Sequence, residues 1–355
     1  MTKTALIFSP IYYKHNTGKT HPETSQRLHA IINELKKSNI INQPNISIIN
    51  PEKARIQDIQ LIHSTEYIKL VEAICKSGGG LLDLQDTVVS PESYEVALYA
   101  AGGAIKAVNL VMNRRFNNAF ALVRPPGHHA GKFRALGFCL FNNVAIAAAH
   151  LLEKFKLKRI LILDFDAHHG NGTQEAFYET DKVLYISLHE DPTSFPGTGF
   201  MNETGKNEGQ GYTVNIPLPF QTTDKPYLSA INEIVTPIAH EYKPQFILVS
   251  AGFDTHYSDP VGNLALSATA IQKIHQHIMR LANQLCHGRL AMTLEGGYNL
   301  KTIGKLASTA VATMSNTSYT FTDRTPNRSA RTEAQAAKII AEVKNVQRTS
   351  WKINR

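Results

Sequence analysis

The chain has 355 residues, 43% of them hydrophobic, a formal net charge of +8 and three widely spaced cysteines. That length allows one large α/β domain or two smaller ones, while the odd, scattered Cys75, Cys139 and Cys286 argue against a disulfide framework and for a reducing compartment. No apolar run reads as a membrane span or signal peptide, and the basic residues, many of them in the last forty positions, form no zinc knuckle, basic helix or aromatic-interleaved stripe for reading nucleic acid.

In chain order, residues 4–8 read as a strand and 23–37 as an amphipathic helix. Ser64 can cap a helix running to about Lys76, and Ser90-Pro91 opens a long helix toward Met112 with proline at its tolerated first position. Next come a strand at 119–123, a helix at 143–155, and strands at 159–165, 183–188 and 212–216. A helix at 225–242, bent at Pro237, precedes a strand at 246–250, a helix at 267–286, a strand at 290–294 and a helix at 300–314. Residues 315–334 read as a polar connection, and 335–346 as a last helix packed on the same body. The alternation predicts a mostly parallel sheet between helix layers, in a single domain spanning 1–355.

In open parallel sheets, ligands bind beyond the carboxyl ends of the strands. The unusual polar clusters all follow predicted strands. Val123 leads into Arg124-Pro125-Pro126-Gly127-His128-His129, and Leu163 into Asp164-Phe165-Asp166-Ala167-His168-His169-Gly170-Asn171-Gly172. Leu188 leads into His189-Glu190-Asp191, Ser250 into Ala251-Gly252-Phe253-Asp254, and Leu294 into Glu295-Gly296-Gly297-Tyr298. Strand alternation turns Asp164, Asp166 and His168 the same way.

The simplest metal site is Asp166, His168 and Asp254. Two carboxylates and a neutral imidazole suit zinc, and iron(II) or manganese would also be compatible. Adjacent histidines facing one site take distinct roles, because two imidazolium charges repel. Asp164 is a plausible partner for one of His128 and His129, and Asn171 for the other. The glycines before Tyr298 let its phenol approach a ligand and donate to a developing oxyanion.

These segments, with Gly137-Phe138-Cys139-Leu140-Phe141-Asn142-Asn143, Ser187-Leu188-His189, Phe195-Pro196-Gly197-Thr198-Gly199, and His21-Pro22-Glu23 with Arg27, resemble the zinc-dependent histone deacetylase and acetylpolyamine amidohydrolase superfamily, on its class II-like side. The resemblance covers roughly residues 5–315, the catalytic core it implies, and it implies an arginase–deacetylase α/β fold with an eight-stranded, mostly parallel sheet. It implies one catalytic zinc on Asp166, His168 and Asp254. It also implies structural potassium near Asp164, the carbonyls of Asp166, His168 and Leu188 and the Ser187 hydroxyl, with a second monovalent site near Phe177, Thr180, Val183 and Tyr212.

Phe138 and Phe195 would wall a channel for an acetyl-lysine stem, with Gly137, Gly296 and a mouth carboxylate, Glu92, beside it. His129 would act as general base and later as acid, with His128, held by Asp164, in support and Tyr298 on the oxyanion. Class I relatives carry Asp where this chain has Asn171, and a neutral partner leaves His129 ready to accept a proton. Class IIa domains, weak on acetyl-lysine, carry His where this chain has Tyr298.

The expected substrate is an acetylated protein or peptide, histone among the candidates, and the expected setting a soluble intracellular, chiefly cytoplasmic protein, with the nucleus or an exported pool as alternatives, that reads no nucleic acid and binds no membrane. An acetylpolyamine is the less favoured substrate, since polyamine-selective relatives carry a gatekeeper Glu where this chain has Val261. A dinuclear manganese ureohydrolase needs a carboxylate where this chain has Gly170. A silent acyl-lysine reader is the alternative outside catalysis.

Overall fold

The computed structural model describes residues 2–83 and 86–353. Eight strands form the main sheet: β1 (Thr4–Ile7), β2 (Ile46–Ile49), β3 (Asn118–Ala121), β4 (Ile160–Asp164), β5 (Val183–Glu190), β6 (Thr213–Leu218), β7 (Phe246–Ala251) and β8 (Leu290–Leu294). All pair in parallel, in the order β2-β1-β3-β8-β7-β4-β5-β6. Every strand but β2 is wholly buried, as near-continuous apolar runs require when helices cover both faces. This is the arginase–deacetylase architecture.

The edge strand β2 was not foreseen. Only its first residue, Ile46, is buried, and its four residues carry no long apolar run. Also unforeseen are a short helix at Asn171–Phe177, a single turn at Ile56–Ile59, a 3-10 turn at Pro10–Lys14 and a small antiparallel ladder of Gly80–Leu81 with Val88–Val89. The expected helix at 23–37 begins later, at Gln26–Lys37, because the buried Glu23 carboxylate serves Arg124 and Arg27 instead. The long helix runs Ser93–Met112, with Pro91 in the turn before it rather than inside it. By length and composition this helix could cross a membrane, contrary to the sequence reading, but it is mostly buried as a core helix. The bend expected at Pro237 is a wide π turn, Ile231–Val235, between Asp224–Ala230 and Thr236–Tyr242. Proline supplies no N–H to the preceding turn, so the ladder loosens there, and Thr236 Oγ1 donates to the Ile231 carbonyl at 2.9 Å.

The last helix starts earlier than expected, at Ala330–Gln347, where the Ser329 hydroxyl accepts from Thr332 N. It packs on β6, and Ala336, Ile340, Val343, Trp351 and Ile353 join the main core.

Two buried histidines fix a pH signature for this core. His63 donates from Nδ1 to the Gly131 carbonyl and accepts at Nε2 from Asn142 N, so it is held neutral, and burial lowers it to about 4. Burial likewise lowers His275, which donates to the Ile271 carbonyl, to about 4. Unfolded histidine titrates near 6.5, so between about pH 6.5 and 4 these two positions bind more protons in the unfolded chain, and their contribution to stability falls as pH falls. The thermal midpoint is expected to drop by roughly 5 °C between pH 7 and pH 5. A flat melting profile over that range would contradict this reading.

Candidate active site

The site stands on four neighbouring strands. β3 runs into Arg124–His129, β8 into Glu295–Tyr298, β7 into Asp254 and β4 into Asp164–Asn171. The fifth expected strand end is displaced. β5 continues through Glu190, so His189 lies inside the sheet, bonded to Ser187 Oγ at 2.7 Å and the Gly199 carbonyl at 2.9 Å.

β4 stops at Asp164, and the three alternating groups therefore diverge. Asp164 Oδ2 turns to His128 Nδ1 (3.1 Å) and the Tyr185 hydroxyl (3.0 Å). Asp166, His168 and Asp254 converge, with one potential ligand atom of each within 4.8 Å of the others. His168 Nδ1 lies 3.2 Å from Asp166 Oδ1 and 3.4 Å from Asp254 Oδ2. Asp254 Oδ1 accepts from Ala167 N at 2.9 Å, whereas its buried Oδ2 has no hydrogen-bond donor. Burial, reinforced by the Asp166 charge, raises the Asp254 carboxyl above the usual carboxylate range. Gly296 closes this pocket: a Cβ there would meet Asp254 Oδ2 at 2.1 Å and Asp166 Oδ2 at 2.6 Å. Two buried carboxylates, one of them with an orphaned oxygen, and one imidazole are a donor set that fits a zinc ion.

The paired histidines are set apart by their partners. Burial works against a charge on His128, but Asp164, Asp166 and Glu295 outweigh it and hold the ring up at about 10. Burial, with His128 and His168 adding to it, drives His129 well below 6.5. The Asn171 carbonyl oxygen sits 2.8 Å from His129 Nδ1, and the Asn171 amide donates to the His129 carbonyl, which fixes the amide's orientation. An amide oxygen only accepts, so Nδ1 carries the proton and Nε2 keeps its lone pair.

Aromatic rings flank this cluster. Phe195 lies 5.0 Å from the His129 ring and 5.8 Å from His168. Phe138 packs edge-on to Tyr298 at 5.7 Å and to His21 at 4.7 Å. Phe138 has φ +68°, a left-handed conformation that costs a side chain about 1–3 kcal/mol. Gly137 before it has φ +54°, and a Cβ there would strike His129 at 2.4 Å. Glu92 is exposed at the start of its helix, its carboxylate 3.5 Å from Ser90 Oγ. Asp86 meets this wall through its backbone carbonyl, which takes His21 Nε2 at 3.0 Å, and its buried Oδ1 has no partner. The next residue, Thr87, accepts from Phe138 N through its hydroxyl.

The residues implied for potassium lie in two groups. Ser187 Oγ is bonded to His189, and the Leu188 carbonyl accepts from Tyr227 at 3.3 Å. Phe177 and Thr180 share a turn, with Val183 and Tyr212 on neighbouring segments.

Sequence reasoning missed the groups that hold the rim in place. Glu295 accepts from Gly127 N (2.7 Å) and His128 N (3.1 Å), bracing the histidine turn from β8. Arg27 donates to the carbonyls of Glu295 and Gly297 and lies 4.8 Å from the Tyr298 ring centroid. Both residues stood in quoted motifs, but partners hundreds of positions away leave no local pattern.

The sequence profile of the histone deacetylase domain matches residues 21–314. A probable deacetylase of Archaeoglobus fulgidus is 44% identical over 298 residues, covering 84% of this chain and 82% of that protein. Histone deacetylase 14, chloroplastic, of Arabidopsis thaliana is 38% identical over 312 residues, covering 84% and 74%. The crystal structure of the HDA15 HD domain superposes with a TM-score of 0.88 at 34% identity, covering 99% of this chain and 95% of that one. Fold and site rim thus define a hydrolytic deacetylase. The chain belongs to the histone deacetylase family, on its class II-like side.

Proposed function

We propose that this protein removes acetyl groups from lysine side chains of proteins or peptides, histone tails among them, with one zinc ion held by Asp166, His168 and Asp254. The observation that carries the reading is His129: its Nδ1 is tied to Asn171, so its bare Nε2 is the basic atom, beside His168 and Phe195. Zinc there would supply Lewis-acid activation of water and of the acetyl oxygen. His129 Nε2 takes the water's proton and passes it to the departing lysine amine. His128, bonded to Asp164, keeps positive charge beside the reacting carbon. The Tyr298 hydroxyl, which burial keeps protonated, donates to the oxyanion. Phe138 and Phe195 take the apolar lysine stem, and the unpartnered Asp86 oxygen offers an acceptor at the rim. The carbonyl groups near Asp164 and near Phe177 are suited to potassium.

Protein acetyl-lysine is favoured over acetylpolyamine because Val261 brings no carboxylate to the position where polyamine-selective relatives carry one. A ureohydrolase site is disfavoured, since a Cβ at Gly170 would already meet Asp164 Oδ2 at 2.3 Å. The buried, unpaired Cys75, Cys139 and Cys286 support an intracellular setting.

Steady-state rates on an acetyl-lysine peptide and on acetylspermidine test the proposal. The peptide should have the higher kcat/KM, and a chelator should abolish turnover until zinc is restored. Faster turnover of acetylspermidine would make this a polyamine enzyme, and a zinc-loaded chain inert on every acyl-lysine would make it a reader.

A further inference from the structure

The loop that carries Tyr298 is held by three side chains. Asp166 Oδ2 accepts from Gly296 N at 2.8 Å, and Arg27 takes the Glu295 and Gly297 carbonyls. Beyond Gly297, which has φ +114°, the Tyr298 and Asn299 amides both donate to one oxygen, Asp259 Oδ2, at 2.7 and 3.1 Å. The other oxygen, Oδ1, accepts from Val261 N (3.0 Å) and Gly262 N (3.4 Å), which fixes the carboxylate on its own turn. The Asn299 side-chain amide adds bonds to the Ser258 carbonyl (2.7 Å) and hydroxyl (2.9 Å). The chain segment that delivers Asp254 to the pocket therefore also grips the backbone at Tyr298, five residues later.

Resting on the deacetylase reading above, we propose that Asp259 is the positioning residue for Tyr298, clamping its backbone so that the hydroxyl stays aimed at the reacting carbonyl. Charge-assisted bonds to two adjacent amides are strong and directional. Two consecutive glycines precede Tyr298; Asp166 and Arg27 hold the chain before the phenol and Asn299 holds it after, while Asp259 takes the amide of Tyr298 itself. A small misplacement of a group that acts only in the transition state lowers kcat and leaves substrate binding nearly untouched.

The experiment is a double-mutant cycle on the full chain with an acetyl-lysine peptide. Asp259→Ala should lower kcat roughly 10- to 100-fold with KM little changed. The same change in a Tyr298→Phe background should cost almost nothing further, and Asp259→Asn, which retains one acceptor oxygen, should recover part of the rate. Zinc content per chain should stay constant. A second readout needs no turnover: 3-fluorotyrosine placed at position 298 should give one sharp 19F resonance in the parent chain and a broadened or split one in Asp259→Ala. Should the alanine variant fail to fold, Asp259→Asn carries both readouts. Additive losses in the cycle, a rise in KM alone, loss of zinc, or an unchanged 19F line would each overturn the clamp. Absence of turnover in the zinc-loaded parent chain would instead sink the deacetylase reading, and the 19F comparison would still decide the role of Asp259.

Discussion

Replacing His129 by Gln is expected to lower kcat on an acetyl-lysine peptide by about 10²- to 10⁴-fold, because glutamine neither takes nor returns a proton. The loss should appear with zinc content intact, since His129 lies outside the Asp166–His168–Asp254 group. The same residue predicts a pH signature. Burial above all, with the neighbouring His128, keeps its folded pKa well below 6.5, so the base is neutral at neutral pH, and the acidic limb of kcat/KM falls below that value. Asn171→Asp places a carboxylate 2.8 Å from Nδ1 and stabilises the imidazolium. The pKa then rises, and activity is lost at a higher pH as the solution is acidified. A limb that stays where it was would remove Asn171 from the control of His129.

Tyr298→Phe is the second large effect. The ring still packs on Phe138 at 5.7 Å and beneath Arg27 at 4.8 Å, so the fold and the wall survive and only the hydroxyl is lost. Loss of one oxyanion donor costs about 10²- to 10³-fold in kcat, with KM little altered because the bond forms in the transition state. A variant within threefold of the parent would show that the phenol is wall and not donor.

What could be read from residue order and what could not have separate physical causes. Strand β8 and the helix Asn143–Phe155 fall where periodicity placed them, because an unbroken apolar run and an Asn142 cap are local signals. The helix Asn171–Phe177 escaped, since Asn-Gly-Thr-Gln is a weak helix former and the turn after β4 starts it instead. Asp166 and His168 were legible within one turn. Asp254 was legible only through its place after a strand and through family resemblance. Asp259 was invisible: its partners are amides about forty positions away, and an amide has no letter in a sequence.

The strand order bears on how the molecule is made. β7 and β8 are translated last, yet they lie between β3 and β4, in the middle of the sheet. Until they emerge, the inner margins of β3 and β4 have no partner, and the two halves of the reactive centre sit on separate pieces of chain. Assembly is thereby a late, non-local event, slow in kind and exposed to sticking of bare strand margins. A chain cut short before residue 290 would lack the central slat of the sheet, and with it any way of becoming a smaller working enzyme.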